Sequence, residues 1–174
     1  MSKPDYDIIQ VKDDESLKAC VQCINKGFIS VARKFNLTIK SAPNNGVFLN
    51  FGKYKSEVCK GMDVYAIFEG ETVLATVGLK WLPQNTVEVL RLAVLPNFKG
   101  QGLGKMLMGF VEDITYKKMT RDPHIESFTI QLGCIAEDEV LIGFYENLGY
   151  SVQAVKTFKK LPHDVCFMRK TVNL

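Results

Sequence analysis

Three glycines at alternate positions, Gly100, Gly102 and Gly104, separate an apolar run from a helical one, and no other stretch constrains the fold as tightly. Ahead of them Val87, Val89, Leu90, Leu92, Ala93 and Val94 form a nearly continuous apolar run. That is the pattern of a strand buried on both faces. Pro96 ends the strand, since a proline supplies no ladder N–H. Behind the glycines, Leu103, Leu107, Phe110, Val111 and Ile114 recur at helical spacing. A helix opened by a glycine turn leaves several backbone N–H groups unpaired and facing one way. With the helix dipole behind them they make an anion site. The stretch predicts a phosphorylated ligand.

Two familiar phosphate motifs fail to match it. A Walker loop needs glycine, four residues, then Gly-Lys-Ser/Thr; here Gly104-Lys105 is followed by Met106, and Lys99 holds the place of the first glycine. A dinucleotide fingerprint would put its third glycine at Lys105 and follow an early strand, not one at mid-chain.

The stretch LAVLPNFKGQGLGKML resembles the acetyl-CoA signature of the GNAT family of N-acetyltransferases: Gln or Arg, two residues, Gly, one residue, then Gly or Ala. Gly102 and Gly104 match it, and Lys99 stands in the Gln/Arg place as a departure. Downstream, FYENLGY (Phe144 to Tyr150) resembles the family's second signature, often written FYEKLGF. The two in order are far more specific than either alone. The resemblance covers Asp63 to Leu174, with the amino-terminal third matching only in pattern.

Taken in order, Ile8 to Val11 reads as a short strand, and Asp13, Asp14 and Glu15 open a helix capped by Asp14 or Ser16 and running to Phe35. Leu17, Cys20, Val21, Ile24, Phe28, Val31 and Phe35 share one face of it, which places the Cys20–Cys23 CxxC in packing rather than in a metal or redox site. Residues 36–60 are the least readable. A turn at Pro43 to Gly46 precedes an apolar run, Val47 to Phe51, that fits either a core strand or a homodimer interface. Val64 to Phe68 and Thr72 to Trp81 flank Glu69-Gly70-Glu71 as a hairpin, and Gln84-Asn85 turns the chain into the strand at Val87. Ser127 to Leu132 alternates as a strand. Asp138 or Glu137 caps a helix from Glu139 to Leu148 that Gly149 stops, and Ser151 to Phe158 and Val165 to Val172 are the last strands. The order describes one α/β domain, residues 1–174, around one sheet. The resemblance implies more: a single mixed, mostly antiparallel sheet flanked by helices.

At 174 residues, 47% hydrophobic and 24% charged, the composition suits a soluble globular domain. A net charge of +3 is too small to argue for nucleic acid. No apolar run approaches the roughly 20 residues a membrane span needs. The start, MSKPDYDIIQ, lacks the pattern of a secretory signal, and five cysteines without framework spacing suggest reduced thiols in a cytoplasmic protein.

Acyl transfer from a thioester to an amine needs an anchored cosubstrate, a neutral amine, a stabilised oxyanion and a proton for the leaving thiolate. Backbone N–H groups from Gln101 to Lys105 would cradle a pyrophosphate, with Gly100, Gly102, Leu103 and Gly104 shaping the turn and Lys99 or Lys105 adding charge. By resemblance, the backbone of Leu92, Ala93 and Val94 bonds the pantetheine arm, with the N–H near Leu92 as oxyanion donor. Glu88, the one acid in the apolar strand, stands where several family members carry a general base. Alternation places it on the face of Leu90, Leu92 and Val94; the alternative is a strand-end glutamate paired with Lys80 or Arg91. Tyr145 matches the family tyrosine that protonates the thiolate, the alternative being an aromatic core residue. Asp138 occupies a place where the family often has a cofactor-contacting asparagine. Cys134 reads as packing, with no histidine near it in sequence.

The implied activity is an N-acetyltransferase that moves acetyl from acetyl-CoA to a primary amine by direct attack in a ternary complex, with no metal. The alternatives are a non-catalytic acyl-CoA sensor and a peptide or protein N-acetyltransferase. Lys34, Lys40, Lys53, Lys55 and Lys60 lean mildly towards an acidic or phosphorylated acceptor, although a solvated surface explains them better.

Overall fold

The computed structural model describes residues 6–174, so the first half of the amino-terminal stretch read for a leader lies outside the described residues. The elements are β1 (Ile8–Val11), α1 (Asp14–Lys34), α2 (Phe51–Cys59), β2 (Met62–Glu69), β3 (Thr72–Leu82), β4 (Thr86–Val94), α3 (Leu103–Met119), β5 (Ser127–Ile135), α4 (Glu139–Glu146), β6 (Ser151–Lys156) and β7 (Val165–Asn173). The seven strands make one sheet in the order β1-β2-β3-β4-β5-β7-β6. Every pairing is antiparallel except β4 with β5. A parallel pair needs a crossover, and α3 supplies it.

Each face of the sheet has its own core. Leu103, Leu107, Met108 and Val111 of α3 and Tyr145 of α4 pack on Val77, Leu79, Val87, Val89, Ile130 and Met168. On the other face Leu17, Cys20 and Ile24 of α1 and Tyr54 of α2 pack on Met62, Val64, Ala66 and Ala93. No helix among the described residues is long and apolar enough to cross a membrane.

Three readings need correction. The cap of α1 is Asp13, whose carboxylate accepts from the Ser16 N–H at 2.9 Å, not Asp14 or Ser16. Val47 to Phe51 is no strand: Gly46–Phe48 is a 3-10 turn and Phe51 opens α2, because Asn45 and Asn50 cap the two in succession. The third concerns the phase of β4. Its ladder with β3 slips between Thr76 and Gly78, which face Ala93 and Leu90, so β4 carries an extra residue there. Arg91 takes it up at φ +56, a β-bulge. Glu88 and Leu90 therefore face α1 and α2, whereas Leu92 and Val94 face α3 and α4. Strand alternation fails at one residue, and Glu88 parts company with Leu92 and Val94.

Buried thiols give the fold a pH signature. Burial pushes Cys20 up to about 11 and Cys23 and Cys134 to about 12. In the unfolded chain a thiol ionises near ~8.5. Above that pH the unfolded state holds fewer protons than the folded one, so the stability these groups contribute is complete below ~8.5 and falls as pH rises towards 12. Thermal unfolding followed from pH 7.5 to 10.5 should show a midpoint flat at first and then falling. Cys20→Ala combined with Cys23→Ala should flatten the decline.

Candidate active site

The parallel pair of β4 and β5 is short: only Thr86, Val87 and Glu88 find partners, in Thr129, Ile130 and Gln131. Beyond Glu88 the strands part. On its other side β4 stays paired, and the Leu95 N–H donates to Leu74 O at 2.8 Å. Strand peptides alternate direction. With Leu95 and Ala93 turned to β3, the peptide groups of Leu92 and Val94 are turned into the gap, where β5 no longer meets them. The result is a strand edge inside the protein with unused donors and acceptors.

The glycine turn lies at the end of this edge. After a short 3-10 turn at Pro96–Phe98, Gly100 adopts φ +77 and Gly102 φ +91. Both are left-handed values that strain any side chain. Gly102 is the residue before α3 and offers no side-chain cap; the first helix donor to find an acceptor is the Met106 N–H, on Gly102 O at 2.9 Å. Among the described residues the N–H groups of Leu103, Gly104 and Lys105 find no acceptor, at the positive end of a 17-residue helix. At Gly104 a Cβ would stand 3.4 Å from the Phe144 ring, an ordinary packing distance.

Gap and turn form one cleft of about 660 Å³, lined by Leu92, Ala93, Val94, Lys99, Gly100, Gly102, Leu103, Gly104 and Lys105, and by Phe144 and Leu141 of α4. Nine of the ten residues read from the sequence as ligand-binding are brought together here. Gln101 is the exception: its amide turns back to Asn97 O at 3.1 Å and the side chain is exposed. Leu103 doubles as an anchor of the α3 core.

Sequence reasoning missed the other wall, which is α1. Gly27, Phe28, Ser30, Val31 and Lys34 line the cleft. Phe28 and Val31 read as core because their apolar spacing is the same for a core face and a cleft wall. Lys99 does not stand over the turn as an added charge; its Nζ donates to Gly27 O at 2.9 Å and Ser30 Oγ at 3.2 Å, tying the turn to α1. Lys34 Nζ reaches Asp138 Oδ1 at 3.3 Å, and Asp138 is buried and also accepts from the Leu141 N–H as the cap of α4. The carboxylate thus serves a helix start and an ion pair within the cleft wall.

Gly27 marks where α1 crosses β4. A Cβ there would sit 2.9 Å from Val94 O and 3.3 Å from Ala93 Cβ. Alanine improves a helix interior by ~1 kcal/mol over glycine, yet overpacking of this kind costs ~1–3 kcal/mol. Gly27→Ala should therefore lower the unfolding midpoint and weaken ligand binding, both measurable on one preparation by thermal melting and calorimetry. A midpoint that rises would mean α1 yields freely.

The candidate chemical groups stand at the margins of the cleft. The Tyr145 ring is buried edge-on between Phe144 (5.1 Å) and Tyr150 (5.8 Å). Its hydroxyl makes no hydrogen bond within the described residues and is not sealed from solvent, unlike that of Tyr54. Burial pushes its pKa up, with the nearby Cys134 thiol adding to the rise. Glu88 stands at the last paired rung, where β4 and β5 begin to part, opposite Lys80 on β3 and Gln131 on β5. Arg91 is no partner for it: its Nη2 and Nε bond Glu57 at 2.8 and 3.4 Å, and its Nη1 bonds Asn44 O at 2.8 Å. Cys134 is half-buried with its thiol raised to about 12, a packing residue rather than a nucleophile.

Comparison with known proteins supplies the setting. The model of the acetyltransferase (GNAT) family matches residues 45–150, more than half of the chain. Among solved structures, a ribosomal-protein alanine N-acetyltransferase from Escherichia coli superposes with TM-score 0.73 at 14% identity, covering 98% of this chain and 96% of that one. PaiA N-acetyltransferase from Thermoplasma acidophilum, in complex with coenzyme A, gives TM-score 0.70 at 18% identity over 97% and 100%. A ribosomal-protein alanine N-acetyltransferase from Brucella melitensis gives 0.67 at 14% over 95% and 99%.

Proposed function

The chain belongs to the acetyltransferase (GNAT) family, and from that premise we propose that it transfers acetyl from acetyl-CoA to a primary amine, both bound together. The observation that carries the reading is the parting of β4 and β5 just after Glu88, in a gap that ends on the free N–H groups of α3. An extended amide-bearing arm needs such an edge, and a pyrophosphate needs such a turn. Coenzyme A in the PaiA complex supports this class of ligand.

Acetyl-CoA supplies an activated acetyl group: the C–N bond forms as the thioester C–S bond breaks, and CoA leaves as its thiol. The protein's part is to hold, orient and move protons. Leu103, Gly104 and Lys105 N–H groups hold the phosphates. Leu92 and Val94 peptides hold the arm as a strand partner would, and the Leu92 N–H stands as donor to the carbonyl oxygen as charge develops there. Glu88 takes the proton of the attacking amine, directly or through water, and returns it to solvent. Tyr145, kept protonated by burial, gives its proton to the departing sulfur and recovers one from solvent.

The test is free-thiol release from acetyl-CoA across a panel of amines, amino acids and peptides. Release that depends on both acetyl-CoA and an amine, with a matching mass gain of one acetyl on the amine, is the expected result. Bound acetyl-CoA with no release for any member of the panel would turn the reading towards an acyl-CoA sensor.

A further inference from the structure

The register of the sheet lines up Lys80, Glu88, Gln131 and Arg169 in one row across β3, β4, β5 and β7. Residues paired across strands share a face. This row faces away from α3 and α4, because the sequence neighbours Leu79, Val89, Ile130 and Met168 are the ones buried on that side. On the opposite face α1 packs on β3 and β4, α2 packs on β2, and Ile135 of β5 meets Ala32 of α1. Lys80 and Arg169 are exposed, while Glu88 and Gln131 are half-buried. Neither Lys80 nor Arg169 has an ion-pair partner among the described residues. One row further along β7, Phe167 lies opposite Gly133, with Phe158 against it at 6.4 Å. The row thus runs from the gap at Glu88 past Gln131 to Arg169, with Gly133 and Phe167 in the next row and the Lys156 ammonium 5.4 Å from the Phe167 ring.

We propose that the acceptor is an amine that also carries a carboxylate, and that Arg169 binds that carboxylate while the amine lies at Glu88. The inference rests on the acetyl-transfer reading and adds the acceptor's chemical class. Glu88 and Arg169 are two strands apart, roughly 10 Å between backbones at ordinary strand spacing, and an arginine side chain closes much of that from its own end. The planar fork of a guanidinium fits a carboxylate with two parallel hydrogen bonds, a match that a lysine or a neutral side chain lacks. Glu88 repels the carboxylate end and attracts the ammonium end, so the two charges fix one orientation of the acceptor. Lys80, on the other side of Glu88, discourages an acceptor with a second cation.

The experiment compares ω-aminocarboxylates of increasing length with their neutral amides, with diamines and with phosphoethanolamine. It is run in thiol release and in calorimetric titration of the desulfo-CoA complex. The wild-type protein should favour one aminocarboxylate over its amide by about 30-fold or more, the scale of a charge-assisted pair of hydrogen bonds. Arg169→Gln should remove that preference through KM, leaving the amide's kcat/KM and acetyl-CoA affinity unchanged, and Arg169→Glu should shift preference to the diamine. Equal use of acid and amide by the wild type overturns the proposal, as does a loss in Arg169→Gln that falls on all acceptors alike. Preference for phosphoethanolamine overturns the carboxylate in favour of a phosphate. Because the titration does not need turnover, carboxylate binding lost in Arg169→Gln without thiol release would uphold this inference and sink acetyl transfer. Release that ignores the carboxylate would do the reverse.

Discussion

Gly102→Asp should weaken acetyl-CoA binding by at least about 100-fold, roughly 3 kcal/mol, while the protein still folds. Gly102 holds φ +91 directly before α3, and a non-glycine residue there costs ~1–2 kcal/mol. The larger effect is chemical. An aspartate at this place would bring its carboxylate to the Gly104 and Lys105 N–H groups that the pyrophosphate needs, and would repel the phosphates as well. The cap offsets part of the strain, and α3 remains anchored by Leu107, Met108 and Val111. Gly102→Ala keeps the strain without the charge and should lose only about 10-fold. The difference between the two variants in calorimetry measures the anion site itself. Equal losses would mean that the turn's shape, and not its N–H groups, binds the ligand.

Tyr145→Phe should lower kcat by about 10²–10⁴, the usual worth of a general acid, with acetyl-CoA affinity and thermal stability nearly unchanged. The ring packs between Phe144 and Tyr150 and phenylalanine fills the same space. The hydroxyl has no partner within the described residues, so removing it breaks no fold-stabilising bond. The pH profile adds a sign. Burial holds the Tyr145 pKa above the ordinary ~10, so its proton is in place throughout neutral and mildly alkaline pH. A fall in kcat already at pH 8–9 would name a different acid. Unchanged turnover in Tyr145→Phe would mean that another group or water protonates the departing thiolate.

The strand, turn and helix around the three glycines are legible because each depends on residues adjacent in sequence. Apolar run, proline, glycines and helical spacing all point the same way. The gap beside them is not legible, since parting of β4 from β5 is set by where Thr86, Val87 and Glu88 meet a strand some forty residues later. The face of Glu88 went wrong for a related reason. Alternation assumes an even ladder, and Arg91 breaks it with a left-handed backbone secured by Glu57 and Asn44, partners that only the folded chain brings near. Asn45 and Asn50 did carry a signal for residues 36–60: a capping side chain before each short turn of helix. The apolar run between them outweighed it. Gly27 also left a mark, a glycine in mid-helix that costs stability unless something passes close, and what passes is β4. The tie from Lys34 to Asp138 joins residues too far apart in sequence for any spacing rule to find.

The measurement that tests the account most directly is calorimetric titration of the protein with acetyl-CoA, desulfo-CoA and ATP. The gap and the turn together predict one site per chain. Acetyl-CoA and desulfo-CoA should bind with similar, roughly micromolar affinity, and ATP much more weakly, because it offers phosphates to α3 but no amide arm to Leu92 and Val94. Equal binding of ATP would reduce the site to an anion hole, and no binding of acetyl-CoA would contradict the account at its centre.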